Sequence, residues 1–359
     1  MIPLRRAVPG EPLIPHSRPL LGPEEEAAAL RVLRSARLAP GAEAARLEGL
    51  LARLAGGTDA VALASGTAAL TLAIRSLGVL PGEPVAIPAY ACAALLHAVR
   101  AAGARPVVCD IEPQGLALDA QDVARRSGGA PRAAVLVHPF GMPARVEPFR
   151  ALGTLVIEDC AQAAGAADRG LPVGGRGDAA VFSLSPTKMM TGGGPGGALA
   201  APQAAVVRAA RDLAGHDEKP GDAERINALM GDLHAAIAAV QVGRLGEFRA
   251  RREAIAARYD AACADLGWER PRAPEGARAV PYRYLVRVSD AARVLERLQR
   301  AGIMARRPVF LPLHRLAAIG GPFPHTERAH AELVSLPIYP ALREAEIDRI
   351  IGEVVRCRV

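Results

Sequence analysis

Two stretches of this sequence end short apolar runs with side chains that could do chemistry. Ser65-Gly66-Thr67 could open a helix, where free amides and the helix dipole favour a phosphate group, although an ordinary N-cap fits it too. Glu158 and Asp159 end another run. An acid in that place can keep a pyridinium nitrogen protonated, and a helix cap or an ion pair is the plain alternative for Asp159.

A third stretch, residues 182–188, begins with Phe182-Ser183 and ends in Lys188, just before a glycine-rich segment at 191–197. Its hydroxyls, proline and lysine fit a tight loop around an anion, with a surface-loop lysine as the alternative. It is not a Walker loop, because the glycines follow the lysine instead of preceding it. The stretch therefore predicts a phosphate site with an amine beside it.

The lysine count makes Lys188 stand out. Of the 44 basic residues only Lys188 and Lys219 are lysines, so arginine serves wherever positive charge alone is needed. A retained lysine is a candidate for imine formation, which requires a primary amine. Lys219 lies in a polar stretch, which indicates a surface loop. Together, a phosphate cradle, a carboxylate and an amine at three strand ends predict a pyridoxal-phosphate site.

Alternating short apolar runs and helical segments must position these residues. The runs predict strands at 61–64, 85–88, 106–109, 133–138, 155–158, 179–184 and 197–200, and helices at 23–36, 42–55, from Gly66 to near Gly78, and at 91–102. This pattern predicts an α/β fold, a three-layer α/β/α arrangement around a mostly parallel sheet. In such a sheet, ligands bind beyond the carboxyl ends of the strands.

The second part of the chain has a different pattern. A long mixed helix at 235–258 leads into a strand at 284–288, a helix at 291–301, a strand at 304–306 and a last helix at 344–355. We therefore expect two domains: residues 1–245 form the large domain with an N-terminal helical segment, and residues 246–359 form a small α+β domain.

Composition excludes several other classes of protein. The net charge of +7 comes from arginines interspersed with acids, which is typical of solvated helix faces and argues against nucleic-acid binding. No apolar run is long enough to span a membrane and no signal peptide is evident, so we expect a cytoplasmic protein. Five scattered cysteines predict neither disulfides nor a zinc site, and no metal is expected.

The chain resembles the DegT/DnrJ/StrS family of sugar aminotransferases along nearly its whole length. The order and spacing of the matching stretches make the resemblance specific. They are residues 65–70 (SGTAAL), 87–99, 137–141 (VHPFG), 158–163 (EDCAQA), 177–188 (GDAAVFSLSPTK) and 336–340 (LPIYP).

The resemblance implies the pyridoxal-phosphate transferase fold (fold type I) and a role for each matching position. These roles are the Schiff base for Lys188, the ring nitrogen for Asp159, the ring hydroxyl for Gln162, the phosphate for Gly66, Thr67 and Ser183, the phosphate of the neighbouring subunit for Asn227, and the substrate pocket for Tyr284 and His314. His314 could instead be a core or surface histidine. Arg306, with Arg307, could meet a diphosphate or be a solvated pair.

The sequence departs from the family at two places. Cys92 stands where many relatives have an aromatic residue stacked on the cofactor ring, and Tyr90 is two positions away. After Asn227 the family has an aromatic residue and an arginine, where this chain has Ala228 and Leu229. The second departure puts the usual donor and substrate contacts in doubt.

The resemblance implies a homodimeric aminotransferase with shared active sites, acting between an amino acid, L-glutamate in the family, and a keto-sugar. We expect a nucleotide-linked acceptor from surface-polysaccharide or secondary-metabolite biosynthesis. Alternatives of the same fold are a cyclitol aminotransferase and a sugar dehydratase, whose family members carry histidine in place of the lysine. A non-catalytic sensor or scaffold is the remaining alternative.

Overall fold

The computed structural model describes residues 12–57, 59–215 and 221–357 of the chain. Its strands, numbered β1 to β12 along the chain, are Asp59–Leu63, Pro84–Pro88, Arg105–Cys109, Ala133–Val137, Leu155–Asp159, Ala167–Asp168, Leu171–Pro172, Ala179–Ser183, Gly197–Ala201, Ala277–Arg278, Tyr284–Arg287 and Leu333–Leu336.

Thirteen α-helices, α1 to α13, are found in the same ranges. They are Pro23–Ser35, Ala42–Leu54, Gly66–Ser76, Ala94–Ala101, Ala120–Ser127, Glu147–Ala151, Ala204–Ala214, Asp232–Gly243, Leu245–Ala264, Ala291–Arg300, Leu313–Leu316, Pro324–Glu332 and Glu344–Val355. None of the described helices is both long enough and apolar enough to cross a membrane.

The central sheet has seven strands in the order β1-β9-β8-β5-β4-β2-β3. Six of them run in one direction, and β9 is antiparallel to its neighbours β1 and β8. Helices cover both faces, which is why β4 is buried at all five positions and reads as a continuous apolar run. The mostly parallel α/β sheet predicted from the sequence is confirmed, and all seven predicted strands are present.

The C-terminal part is built around the two-stranded antiparallel sheet of β11 and β12. Its own apolar core joins side chains of α9, α10 and α13, and Ile14 from near the N-terminus belongs to the same core. One strand of this part, β10, pairs with β6 of the N-terminal part. The boundary between residues 245 and 246 stays a prediction.

Two sequence predictions about elements were wrong. The single helix at 235–258 is two helices, α8 and α9, which meet at Arg244. Gly243 and Gly246 flank the junction, and glycine is a poor helix former. The strand at 304–306 is only an isolated bridge between Arg306 and Ser335. The surface loop predicted around Lys219 lies outside the described residues.

Candidate active site

The carboxyl ends of β1, β8 and β5 lie side by side at one edge of the central sheet. Gly197, the first residue of antiparallel β9, pairs with Leu63 at the end of β1 and with Ser183 at the end of β8. Asp159 ends β5, the strand next to β8. The topology therefore brings together the three stretches that the sequence singled out.

The turn from β1 into α3 forms a close-packed cradle. Ser65 caps the helix by accepting a hydrogen bond from the Ala68 amide at 3.1 Å, whereas the Gly66 and Thr67 amides have no acceptor in the described ranges. A Cβ on Gly66 would lie 3.2 Å from Cβ of Ser183, and one on Gly197 only 2.5 Å from the Gly66 nitrogen. Two free amides at a helix N-terminus, beside a serine hydroxyl, fit a phosphate group.

Asp159 offers one free carboxylate oxygen. It is 5% exposed, and its Oδ1 accepts a hydrogen bond from the Ala161 amide at 3.0 Å, whereas Oδ2 has no partner among the described residues. Burial raises the pKa of Asp159, and the Ala161 amide and the charge of Lys188 counteract only part of that rise. A cationic partner such as a protonated ring nitrogen would favour the ionised form.

The neighbouring carboxylate, Glu158, has a different role. It is fully buried and accepts hydrogen bonds from the amides of Gly174, Arg176 and Gly177 and from Nε2 of His138 at 3.0 Å. Nδ1 of His138 accepts from the Ala144 amide, so Nε2 carries the hydrogen. Burial acts to raise the pKa of Glu158, but these bonds outweigh it and the pKa is lowered. Glu158 is thus a structural anion.

Lys188 lies half-buried in the turn after β8, where its amide donates to the Ser185 carbonyl. Its Nζ has no hydrogen-bond partner in the part of the chain that the structure describes. Gln162 accepts a hydrogen bond from the Phe140 amide at 2.8 Å through Oε1, which fixes the side chain and leaves its NH₂ group free. Among the described residues, three groups therefore lack a hydrogen-bond partner: Nζ of Lys188, the NH₂ group of Gln162 and Oδ2 of Asp159.

Sequence reasoning missed Tyr282. Nζ of Lys188 lies 5.5 Å from the centre of its ring. Burial acts to raise the pKa of Tyr282, but the charges of Lys188, Arg283 and Arg252 outweigh it, so the pKa is lowered. Tyr282 stands in a bend just before β11, and no sequence pattern distinguishes it from Tyr284 two positions later.

Tyr284 lies away from the sheet edge, and its role in the substrate pocket stays a prediction. Its side chain is fully buried in the C-terminal core, with its hydroxyl donating to Asp260 at 2.7 Å and its ring against Tyr259. Pocket-lining by Tyr284 would require this ring to leave the core.

His314 and Arg306 remain predictions. His314 is buried, its Nε2 lies 2.7 Å from Oε1 of Glu327, and its ring stacks on Phe323. Its helix, α11, adjoins the end of β2, because the Leu313 amide donates to the Ala89 carbonyl. Arg306 has an exposed side chain without a described hydrogen-bond partner.

Cys92 and Asn227 are both exposed. Cys92 follows the carboxyl end of β2, whereas the ring of Tyr90 is held in the core, where its hydroxyl donates to the Ala329 carbonyl. Asn227 precedes Ala228, whose carbonyl accepts from the Ala64 amide, so it lies beside the turn that follows β1. Their roles toward a cofactor stay predictions.

Comparisons with known proteins agree with this geometry. Residues 19–355 match the DegT/DnrJ/EryC1/StrS aminotransferase family model. A UDP-N-acetyl-3-dehydro-alpha-D-glucosamine 3-aminotransferase of Acidithiobacillus ferrooxidans is 30% identical over 335 residues, covering 89% of this chain and 90% of that protein. The structure is similar to the aminotransferase TlmJ of Streptoalloteichus hindustanus (TM-score 0.89, 32% identity, 96% and 98% of the two chains). It is also similar to DesV of S. venezuelae (TM-score 0.87, 30%, 93% and 94%).

Proposed function

Because this chain belongs to the DegT/DnrJ/EryC1/StrS aminotransferase family, we propose that it uses pyridoxal 5'-phosphate to move an amino group from an amino acid to a nucleotide-linked keto-sugar. That it is an aminotransferase acting on keto-sugars follows from the family and from its named relative. The cofactor of this chain, the residues that hold it, the amino donor and the nucleotide are the parts that we propose.

The residues at the sheet edge fit the cofactor. The free amides of Gly66 and Thr67, with the Ser183 hydroxyl, would bind its phosphate, and the unpaired oxygen of Asp159 would meet the ring nitrogen. The free amide group of Gln162 would face the ring hydroxyl. This match between unengaged protein groups and the polar groups of the cofactor is the observation that carries the proposal.

When bound, pyridoxal phosphate supplies an aldehyde for imine exchange and an electron-withdrawing ring. The amine of Lys188 would hold the cofactor through that aldehyde, and as a free amine it would be the base for the proton on the donor's α-carbon. The carboxylate of Asp159 would hold the ring nitrogen protonated. The retained Lys188 argues against the sugar-dehydratase alternative, whose family members carry histidine there, and against a non-catalytic scaffold.

Partners and location belong to the same proposal. A homodimer is proposed from the family resemblance, in which the asparagine matching Asn227 reaches the neighbouring subunit's phosphate, and the exposure of Asn227 is compatible with that role. The named relative supports a UDP-type acceptor, and L-glutamate is proposed as donor from the family resemblance. Cysteines without disulfide partners are compatible with a cytoplasmic protein.

The test separates the two half-reactions. The purified protein should be yellow, lose that absorbance with L-glutamate while releasing 2-oxoglutarate, and regain it with one member of a panel of UDP- and TDP-linked keto-sugars. A protein that binds the cofactor but passes no amino group to any panel member would contradict the proposed acceptor. A colourless protein that binds no added cofactor would contradict the whole proposal.

A further inference from the structure

The guanidinium of Arg283 packs against Tyr282, the tyrosine that lies near Lys188. Its Cζ is 4.7 Å from the centre of the Tyr282 ring, and Nη2 donates to the Tyr282 hydroxyl at 3.3 Å. Nζ of Lys188 lies 5.5 Å from the centre of the same ring. A single tyrosine therefore contacts both the proposed imine-forming amine and a half-buried arginine.

A neutral histidine holds the other side of this arginine. Nη1 of Arg283 lies 2.6 Å from Nδ1 of His16, and Nε2 of His16 lies 3.0 Å from Oγ of Ser335. Arginine can only donate, so Nδ1 is the acceptor and Nε2 carries the hydrogen. Burial, together with the charges of Arg283 and Arg306, holds the pKa of His16 well below its usual value. The imidazole is thus a fixed, uncharged support.

No acidic side chain among the described residues pairs with Arg283. Arg287, also half-buried and only four positions later, pairs with Glu332 at 3.1 Å. Arg252, which is fully buried, donates to the carbonyl oxygens of Tyr282 and Ile338. Among the described residues, the hydrogen-bond acceptors of Arg283 are the phenol of Tyr282 and the imidazole of His16. A partly buried cation without an opposite charge is unfavourable, and an anionic ligand would remove that cost.

We propose that Arg283 binds the α-carboxylate of the amino donor. This inference rests on the proposed function, because the donor's amine must react where the Lys188 amine is attached. The α-carboxylate is two bonds from that amine, so in any amino acid it lies close to Lys188. A planar guanidinium, oriented by Tyr282 and His16, matches a carboxylate through paired hydrogen bonds.

The experiment compares variants in the isolated half-reactions. Arg283→Gln, Arg283→Lys and the control Arg293→Gln, an exposed arginine on α10, are loaded with cofactor and checked by absorbance and thermal melting. The apparent Kd of L-glutamate is taken from the donor half-reaction. The Kd of 4-aminobutanoate, which lacks only the α-carboxylate, is taken by competition, and the amino-sugar half-reaction is followed separately.

Arg283→Gln should weaken L-glutamate binding by at least about thirtyfold, as expected for losing one partner of a hydrogen-bonded charge pair. It should leave 4-aminobutanoate, the amino-sugar half-reaction and cofactor absorbance near wild type, and Arg283→Lys should restore part of the loss. Unchanged glutamate affinity, or equal losses for glutamate and 4-aminobutanoate, would overturn the inference. A wild-type protein that accepts an amino group from no amino acid would instead overturn the proposed function.

Discussion

The carboxyl edge of the central sheet and the segment around β11 differ in how their side chains are placed. At the edge, Gly66, Asp159 and Ser183 stand at or just after strand ends, and the sheet topology, including antiparallel β9, brings them together. Around β11, Tyr282 contacts the site whereas Tyr284 lies in the core. That outcome depends on a bend in the chain and on packing against α9.

The difference shows which functional roles are local. A residue at the carboxyl end of a parallel strand lies at the edge of the sheet where ligands bind, and its position in the strand determines this. A residue on the side of the site faces the ligand only if packing against other elements orients its side chain that way. We therefore expect substitutions at the edge to act on chemistry, and substitutions around β11 to divide between substrate binding and stability.

Asp159→Asn should have the largest effect. An amide in place of the carboxylate cannot hold the ring nitrogen protonated, so kcat should fall by about a hundredfold to a thousandfold. Cofactor content and melting temperature should stay close to wild type, because in the part of the chain that the structure describes only the Ala161 amide bonds to this side chain. Stopped-flow rates of the donor half-reaction give the measurement. Near-normal rates in this variant would contradict the proposed role of Asp159.

Glu158→Gln compares the two neighbouring carboxylates. Loss of the Asp159 carboxylate should slow the reaction, whereas loss of the Glu158 carboxylate should lower the stability of the fold. Replacing a buried anion that accepts four donors should cost about 3 kcal/mol of unfolding free energy, measured by urea denaturation.

The pH dependence of stability provides a second check on Glu158. Its folded-state pKa is lowered, so the ionised form stabilises the fold above the ordinary carboxyl pKa, and that contribution is lost as the pH falls through the lowered value. The glutamine variant should lack this loss. A variant as stable as wild type at neutral pH would contradict the structural role.

The smallest effects are expected when the hydroxyl group of Tyr284 or of Tyr282 is removed, and the two variants should differ in what they change. Tyr284→Phe loses the hydrogen bond to Asp260, which should cost about 1 kcal/mol of stability and leave both KM values unchanged. Tyr282→Phe removes an acceptor from Arg283 and should raise the donor KM severalfold. If Tyr284→Phe instead raised the acceptor KM without loss of stability, the result would support the pocket role that the sequence predicts for Tyr284.

Much of the fold and of the sheet-edge site could be predicted because the signals were local. Short apolar runs marked all seven strands, and the hydroxyl, acid and lysine positions followed them directly. The junction at Arg244 was missed because helix-forming residues continue on both sides of it, and Gly243 and Gly246 are a weak signal in the sequence.

The parts that could not be predicted depend on long-range contacts. Glu158 and Asp159 are adjacent acids, and only the amides of residues 174–177 and the ring of His138 make one of them structural. The support of Arg283 comes from His16, which is 267 positions away in the chain. No periodicity or spacing in one sequence indicates such a pair.

The chain contains only two lysines, so the central claim has a direct test. Borohydride reduction of the yellow protein, followed by peptide mass mapping, should place a phosphopyridoxyl group on Lys188 and none on Lys219. Lys219→Arg should remain yellow and active, and Lys188→Arg should lose both properties. A label on Lys219, or a label that survives Lys188→Arg, would contradict the account.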